Sequence, residues 1–503
     1  MHKRREVLRA GATVTAGGLA AGLPGTGTSE AAPVPAQTAG PEASAWNDLR
    51  SHLSPAARLC RPGDQAYVRL ARPWNLRYTH RRPAAILTCA TSKDVQSAVR
   101  WARTHGVPLV PRSGGHNYAG HSTTSGLLLN LRGINQVVPH GDRLWVGGGA
   151  TNSDVYQAGT ARTGLYFPGG RCAGVGVAGL TLGGGLGFND RKWGLTCDRL
   201  VATEVVLADG TLVRAGEREN ADLFWACRGG AGGNFGVNVG FLYDAVHVAR
   251  QVATTFDLTF ALRQGVTVMG LVQEILQRDT TGDLDLRVTF VNHGNGPGDC
   301  RVLVLGQYLG DESALRYLIA PLLALGPARE VLRQSDFWTA QHRLAMFGEQ
   351  EALATKSLVP DHWLGPETVA AVMDWIRRWQ PGVRGNVTHV TLFAMGGRTA
   401  EVDPHETAFP HRNATFVIDV GAVWKAGSSR EVVQRLLDQI TTIHRRLSRD
   451  LETTAAYVNF PDPDLVDWQT AYYGANYARL LRVKRRYDGD NVFTYRQAIG
   501  STL

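Results

Sequence analysis

The 503-residue sequence has only six cysteines, at Cys60, Cys89, Cys172, Cys197, Cys227 and Cys300, and no two form a CxxC pair. A structural zinc site draws on closely spaced Cys and His, so no metal centre is expected. No apolar run reaches the ~18 residues a membrane helix needs, which argues against a membrane-spanning chain. The net charge is +9, but the basic residues are scattered rather than gathered into the stripe a nucleic-acid surface requires. The densest group, Arg479, Arg482, Lys484, Arg485 and Arg486, reads as a solvated helix face. Internal repeats and low-complexity tracts are also missing.

What is present is glycine, 58 residues of it, concentrated in a few stretches. There the backbone must turn tightly or approach something closely. Apolar residues make up 44%, an ordinary globular share, and the length suits two or three compact units. Residues 1–32 stand apart. Arg4-Arg5 precede a weakly apolar, Gly/Ala-rich stretch from Ala10 to Leu23 and then Pro33, resembling the signal read by the bacterial twin-arginine export machinery. That route carries folded proteins and suits an enzyme that loads a cofactor before leaving the cytoplasm. Without residues 1–34, which hold Lys3, Arg4, Arg5 and Arg9 against Glu6 and Glu30, the charge is +7. Residues 33–45 read as a linker.

Periodicity predicts a mixed α+β unit over 46–248. Strands are expected at Ala84–Ala90, Val107–Pro111, Leu127–Leu131 and Leu144–Gly147. Thr91 and Asp94 form a capping box for a helix whose Val95, Ala98, Val99 and Ala102 share one face. Val201–Ala208 and Thr211–Ala215 flank Asp209-Gly210, a two-residue hairpin signal. From 249 to 450 glycine thins and alternating strands appear, at Leu286–Val291, Arg301–Gln307, Val387–Ala394 and Thr415–Val423. Helical stretches at Glu367–Trp379 and Arg430–Ser448 predict a larger sheet covered by helices. Residues 451–503, rich in Tyr, Asn and basic side chains, form a third segment.

Two loops carry the chemistry. In Pro111-Arg-Ser-Gly-Gly-His-Asn-Tyr-Ala-Gly-His-Ser122, the backbone N–H groups of Ser113, Gly114, Gly115, Asn117 and Gly120 can cradle an anion such as a diphosphate around His116. In Pro168-Gly-Gly-Arg-Cys172, the cysteine leads into the glycine run 174–187. Gly174-Val-Gly-Val-Ala-Gly179 matches the dinucleotide pattern GxGxxG, with Asp198 about 20 residues on. Gly183, Gly184, Gly185 and Gly187 would break the helix that pattern must open, so a nicotinamide-binding Rossmann site is a distant reading.

These loops, with Gly233-Asn-Phe-Gly236, Thr407-Ala-Phe-Pro-His-Arg412, Tyr457-Val-Asn459 and Tyr472-Tyr-Gly-Ala-Asn-Tyr477 through Lys484 to Asp490-Asn-Val-Phe493, resemble the FAD-linked oxidases of the berberine bridge enzyme family. The resemblance runs from about residue 60 to 500, in order. It implies a two-domain α+β, PCMH-type (vanillyl-alcohol-oxidase-type) fold, in which 46–248 and 451–503 hold FAD and 249–450 supply a substrate domain of antiparallel sheet. It also implies FAD bonded at its 8-alpha methyl to His116 and at ring carbon 6 to Cys172. Arg112, Ser113, Gly114, Gly115, Asn117, Gly120, His121 and Ser122 would contact the cofactor from the first loop. Gly169, Gly170, Val175, Gly176, Gly179, Gly183, Gly184, Gly185, Gly187, Cys197 and Asp198 would do so from the second. Asn234, Gly236, Tyr457 and Asn459 would complete the set.

Oxidising an alcohol requires a base near the flavin. The resemblance makes Tyr457 the first choice, given a lowered pKa, with His389 and Asp419 in reserve; His411 and Arg412 read as structural. Many relatives carry a second tyrosine where this chain has Phe460, which tells against a two-tyrosine mechanism. The same resemblance implies that Val175, three residues after the cysteine, goes with oxidases that pass electrons to molecular oxygen and release hydrogen peroxide. The expected substrate is an alcohol or a sugar hydroxyl, carried by an oligosaccharide or by the sugar of a secondary metabolite. Amine or alkaloid oxidation, and a flavin-loaded drug-binding resistance protein, are the alternatives; the sequence leaves oligomeric state open.

Overall fold

The computed structural model describes residues 41–159, 163–296 and 298–501. The twin-arginine segment lies outside them. Among the described residues no helix is long and apolar enough to cross a membrane, and all six cysteines are free.

The first lobe opens on a four-stranded sheet in which Ala85–Thr88 and Leu109–Arg112 both run parallel to Leu127–Asn130. The helix Ser92–Thr104 makes the crossover, and its capping box forms as the sequence predicts. A five-stranded antiparallel sheet follows, with Val237–Asp244 at its centre between Arg143–Gly147 and Leu200–Val206. The Asp209-Gly210 hairpin forms with a different turn. Val206 pairs with Leu212, Leu207 N–H bonds Thr211 O, and Gly210 N–H closes back on Leu207 O with φ +79°. This makes a three-residue connection, a turn followed by a left-handed glycine, rather than a two-residue loop.

The second lobe is a seven-stranded sheet, antiparallel throughout. Its strands run, edge to edge, Arg329–Asp336, Val252–Ala261, Cys300–Tyr308, Leu284–Asn292, Val387–Ala394, Phe416–Trp424 and Ala352–Leu358. Alternation divides its faces. Leu286, Val288 and Phe290, Val390 and Leu392, Ile418 and Val420 pack into one core with the helices Gly265–Arg278, Pro366–Arg378 and Arg430–Asp450. The intervening residues Arg287, Thr289, His389, Thr391 and Asp419 face the other way, into a cavity.

The C-terminal segment returns to the first lobe. Trp468, Tyr472, Tyr473 and Leu480 join the core of the five-stranded sheet. Lys484, grouped in the sequence with a solvated basic face, is buried. Its ammonium donates to Asn234 O at 2.8 Å, to Asp488 at 2.6 Å and to Phe493 O at 2.6 Å. Charge counting along the chain cannot see this, because the three acceptors arrive from two loops and the next helical turn.

Candidate active site

One cavity of about 530 Å³ lies between the lobes and is lined by both, within the range of cofactor and ligand sites. The loop after Leu109–Arg112 forms one wall. Arg112 stays inside the protein, its guanidinium donating to Ser122 O at 2.7 Å and Leu70 O at 2.8 Å. It therefore staples the two ends of the loop together. Asn117 Oδ1 accepts from the N–H groups of Ala119 and His121, and Ser122 Oγ donates to Gly115 O. Gly114 lies against Gly174 O and Gly176 N, where a Cβ would collide with backbone. The two glycine-rich loops thus meet main chain to main chain.

His116 stacks on Trp74, ring centroids 4.7 Å apart and planes 22° from parallel. Burial pushes its imidazole down to about 4, so it is a neutral nucleophile near pH 7. Cys172 lines the same cavity. Its carbonyl accepts from Asn152, and it pairs with Met346 in a short bridge to the second lobe. Burial raises its thiol, while the guanidinium groups of Arg287 and Arg171 pull it back down. A neutral imidazole, a thiol beside two cations and a glycine-lined wall are the donor set that a covalently bound flavin needs.

Most other residues singled out in the sequence also line the cavity: Ser113, Gly115, His121, Gly170, Val175, Gly176, Gly179, Gly236, Tyr457 and Asn459. Nine do not, and each has a structural duty nearby. Gly120 packs under the Tyr78 ring, Gly183 under Asn459, Gly184 under Phe409, and Gly169 against Gly187. Gly185 donates its N–H to the Tyr457 hydroxyl at 3.0 Å. Asn234 accepts from Ile499 N–H and donates to Gly230 O. Cys197 is buried beside Asp198. Asp198 is clamped by both terminal nitrogens of the buried Arg412, at 2.8 and 2.7 Å. The acid of the GxGxxG pattern is thus one half of a structural ion pair, and the helix that pattern opens, Val177–Leu182, lasts only six residues.

Tyr457 departs from what a base requires. Its hydroxyl accepts from Gly185 N–H and from Asn459 Nδ2, both at 3.0 Å. Burial nevertheless pushes the phenol up, and these two bonds offset only part of that. Phe460 fills the space between Tyr457, Phe393 and Tyr118 with an aromatic ring.

His389 and Asp419 are brought together across neighbouring strands, Nε2 to Oδ2 at 3.1 Å. Asp419 Oδ1 also accepts from Thr355 Oγ1. Burial alone would lower His389. The Asp419 carboxylate, reinforced by Glu351, outweighs it, and the imidazole lies above its ordinary 6.5. Thr355, Glu351, Trp74 and Arg287 were not legible as site residues. Arg287 had a signal, a charged residue at a cavity-facing position of an alternating apolar strand.

The FAD binding domain model matches residues 83–216, and the berberine and berberine-like model matches 456–500. The chain is 30% identical over 432 residues to the uncharacterized FAD-linked oxidoreductase YgaK of Bacillus subtilis, covering 83% of this chain and 91% of the relative. It belongs to the berberine bridge enzyme-like family of FAD-linked oxidases. Within that family, the BBE-like 1 structure of Physcomitrella patens superimposes with a TM-score of 0.81 at 26% identity, over 91% of this chain and 99% of that one. The carbohydrate oxidase of Microdochium nivale, solved with a substrate analogue, gives 0.79 at 26% identity, over 90% and 99%. The family member described here therefore has the two-domain PCMH-type fold and is an FAD-linked oxidoreductase.

Proposed function

We propose that this family member is an exported oxidase that carries FAD covalently on His116 and Cys172 and oxidises an alcohol or a sugar hydroxyl. The observation that carries the reading is the cavity itself. It has two nucleophiles on one wall and a hydrogen-bonded His389–Asp419 pair on the facing sheet. Likeness to a carbohydrate oxidase supports the substrate class. The Arg4-Arg5 segment supports export through the twin-arginine machinery.

When bound, FAD would supply the hydride acceptor, with oxygen as the terminal acceptor and hydrogen peroxide as the product. The protein supplies position and proton transfer. The Ser113–Ser122 loop and the 174–176 backbone, which line the cavity, would hold the cofactor together with Asn459 and Tyr457. His389 is the base. With Nε2–H donated to Asp419, its Nδ1 makes no bond among the described residues and takes the hydroxyl proton. Asp419 fixes the tautomer and stabilises the imidazolium that results. Val175, on the cavity wall, leaves access for oxygen.

The test is absorption spectroscopy followed by acid precipitation. Wild-type protein keeps its yellow colour in the pellet, as do His116→Ala and Cys172→Ala singly, while the double variant releases it. Colour that leaves the wild-type pellet refutes covalent attachment. Sugars and benzylic alcohols are then screened by peroxide release, and reduction of the flavin by amines alone would refute the substrate class.

A further inference from the structure

Arg287 occupies the cavity face of strand Leu284–Asn292, directly opposite Phe393 on the next strand. Its guanidinium carbon lies 4.2 Å from the Phe188 ring centroid and 4.7 Å from that of Phe393. Two aromatic faces hold a guanidinium plane in place without occupying its N–H donors. Those donors are free. Among the described residues Arg287 makes no hydrogen bond and no ion pair, and its Nε is buried without an acceptor.

The acids nearest to it do not supply the missing partner. Asp285 accepts from the backbone N–H groups of Asp190 and Arg191, and burial holds it up at about 7. Burial also keeps the Asp190 carboxyl well above the usual range. A second guanidinium, Arg171, lines the same cavity, with its Nε donated to Leu344 O. Two cations, Arg287 and Arg171, therefore lie beside Cys172, and Glu351, an acid that also acts on that thiol, makes no ion pair with either among the described residues. A cation held partly out of water without a paired counter-charge is costly, and aromatic faces return only part of that cost. An incoming carboxylate would return the rest through short, charge-assisted, two-pronged hydrogen bonds.

We propose that Arg287, seconded by Arg171, is an anion subsite that takes a carboxylate carried by the substrate. The substrate class is then an acidic sugar of the uronate type, or a hydroxy acid, rather than a neutral alcohol. Charge fixes the orientation. Glu351 and Asp419 line the same cavity beside His389 and repel a carboxylate from that end, leaving the hydroxyl to face His389. The inference rests on the cavity being the site of alcohol oxidation.

The experiment uses full-length, flavin-loaded protein and matched pairs, glucuronate against glucose and galacturonate against galactose. Binding is followed by the change in flavin absorbance. The acids should bind roughly 10–100-fold tighter than their neutral partners, as expected for hydrogen bonds to a charged group. Arg287→Gln should bring that ratio close to one, Arg287→Lys should lower it partway, and added salt should weaken the acids alone. Equal binding of acid and neutral sugar by the wild type overturns the proposal. So does an unchanged ratio in Arg287→Gln that keeps its flavin and melting temperature. Should Arg287→Gln fail to fold, an unchanged ratio in Arg287→Lys overturns it equally. Anaerobic bleaching separates this result from the underlying reading. Acids that bind through Arg287 while no acid, sugar or alcohol bleaches the flavin refute alcohol oxidation and leave the subsite standing.

Discussion

The two walls of the cavity are built on opposite plans. On the first-lobe side, glycine-rich loops meet through their main chains, and Gly114 touches the 174–176 backbone directly. Side chains there mostly brace the loops, as Arg112 and Asn117 do. On the second-lobe side a regular sheet presents every second side chain to the cavity, among them Arg287, His389 and Asp419, with Thr355 bonded to Asp419. Where backbone meets backbone, as at Gly114, no added atom fits, whereas a wall made of side chains keeps its shape when one is exchanged. Substitutions should accordingly cost structure and cofactor on one wall, and chemistry on the other.

The strongest way to break this contrast is at the base. His389→Gln keeps a donor for Asp419 and removes the proton acceptor, so kcat/KM should fall roughly 10²–10⁴-fold with flavin content and melting temperature unchanged. Tyr457→Phe should lose far less. A larger loss at Tyr457 than at His389, measured by steady-state peroxide release, would return the base to the first-lobe wall.

Next is the backbone contact. Gly114→Ala forces a Cβ into Gly174 O and Gly176 N, neither of which can rotate away. It should destabilise the protein by about 1–3 kcal/mol and lower the flavin-to-protein ratio, read by calorimetry and absorbance. A fully loaded variant of wild-type stability would mean that the loops are not held by close packing.

The pH profile sharpens the same point. His389 acts as a base only when neutral, and Asp419 and Glu351 hold its pKa above 6.5 despite burial. The rising limb of kcat/KM should therefore lie above pH 6.5, and Glu351→Gln should move it to lower pH. For folding the sign is fixed by the same shift. A raised folded pKa gives a contribution that is full below about pH 6.5 and lost as pH rises through the folded value.

The smallest effect belongs to a glycine of the other kind. Gly270 lies inside the helix Gly265–Arg278, with open space where its Cβ would be. Gly270→Ala should stabilise the protein by about 0.5–1 kcal/mol, seen as a higher melting temperature without change in flavin content. Gly114 in the cradle and Gly270 in a covering helix thus mark the two extremes, one with backbone where a Cβ would go and one with open space.

Much of this plan was legible in the chain. Capping at Thr91 and Asp94, alternation in Val387–Ala394 and the glycine loops around His116 and Cys172 are local signals, set by a few neighbouring residues, and the elements formed where they pointed. The readings that shifted were those that depended on distant partners. Lys484 counted as a surface charge until three acceptors gathered around it. Asp198 matched a nucleotide-binding pattern, but Arg412, 214 residues away, holds it. Tyr457 needed a nearby positive charge to become a base; it received burial and two neutral donors instead.

By itself, the sequence determined the family, the two-lobed α+β plan and the two glycine-rich loops that carry His116 and Cys172, because backbone freedom, capping and periodicity act over short spans of chain. Only the tertiary structure decided which face of the large sheet meets the cavity, that His389 and Asp419 are partners, and that Arg287 has none among the described residues. Those facts depend on strand register and on the electrostatics of burial, which come into being when segments hundreds of residues apart exclude water together.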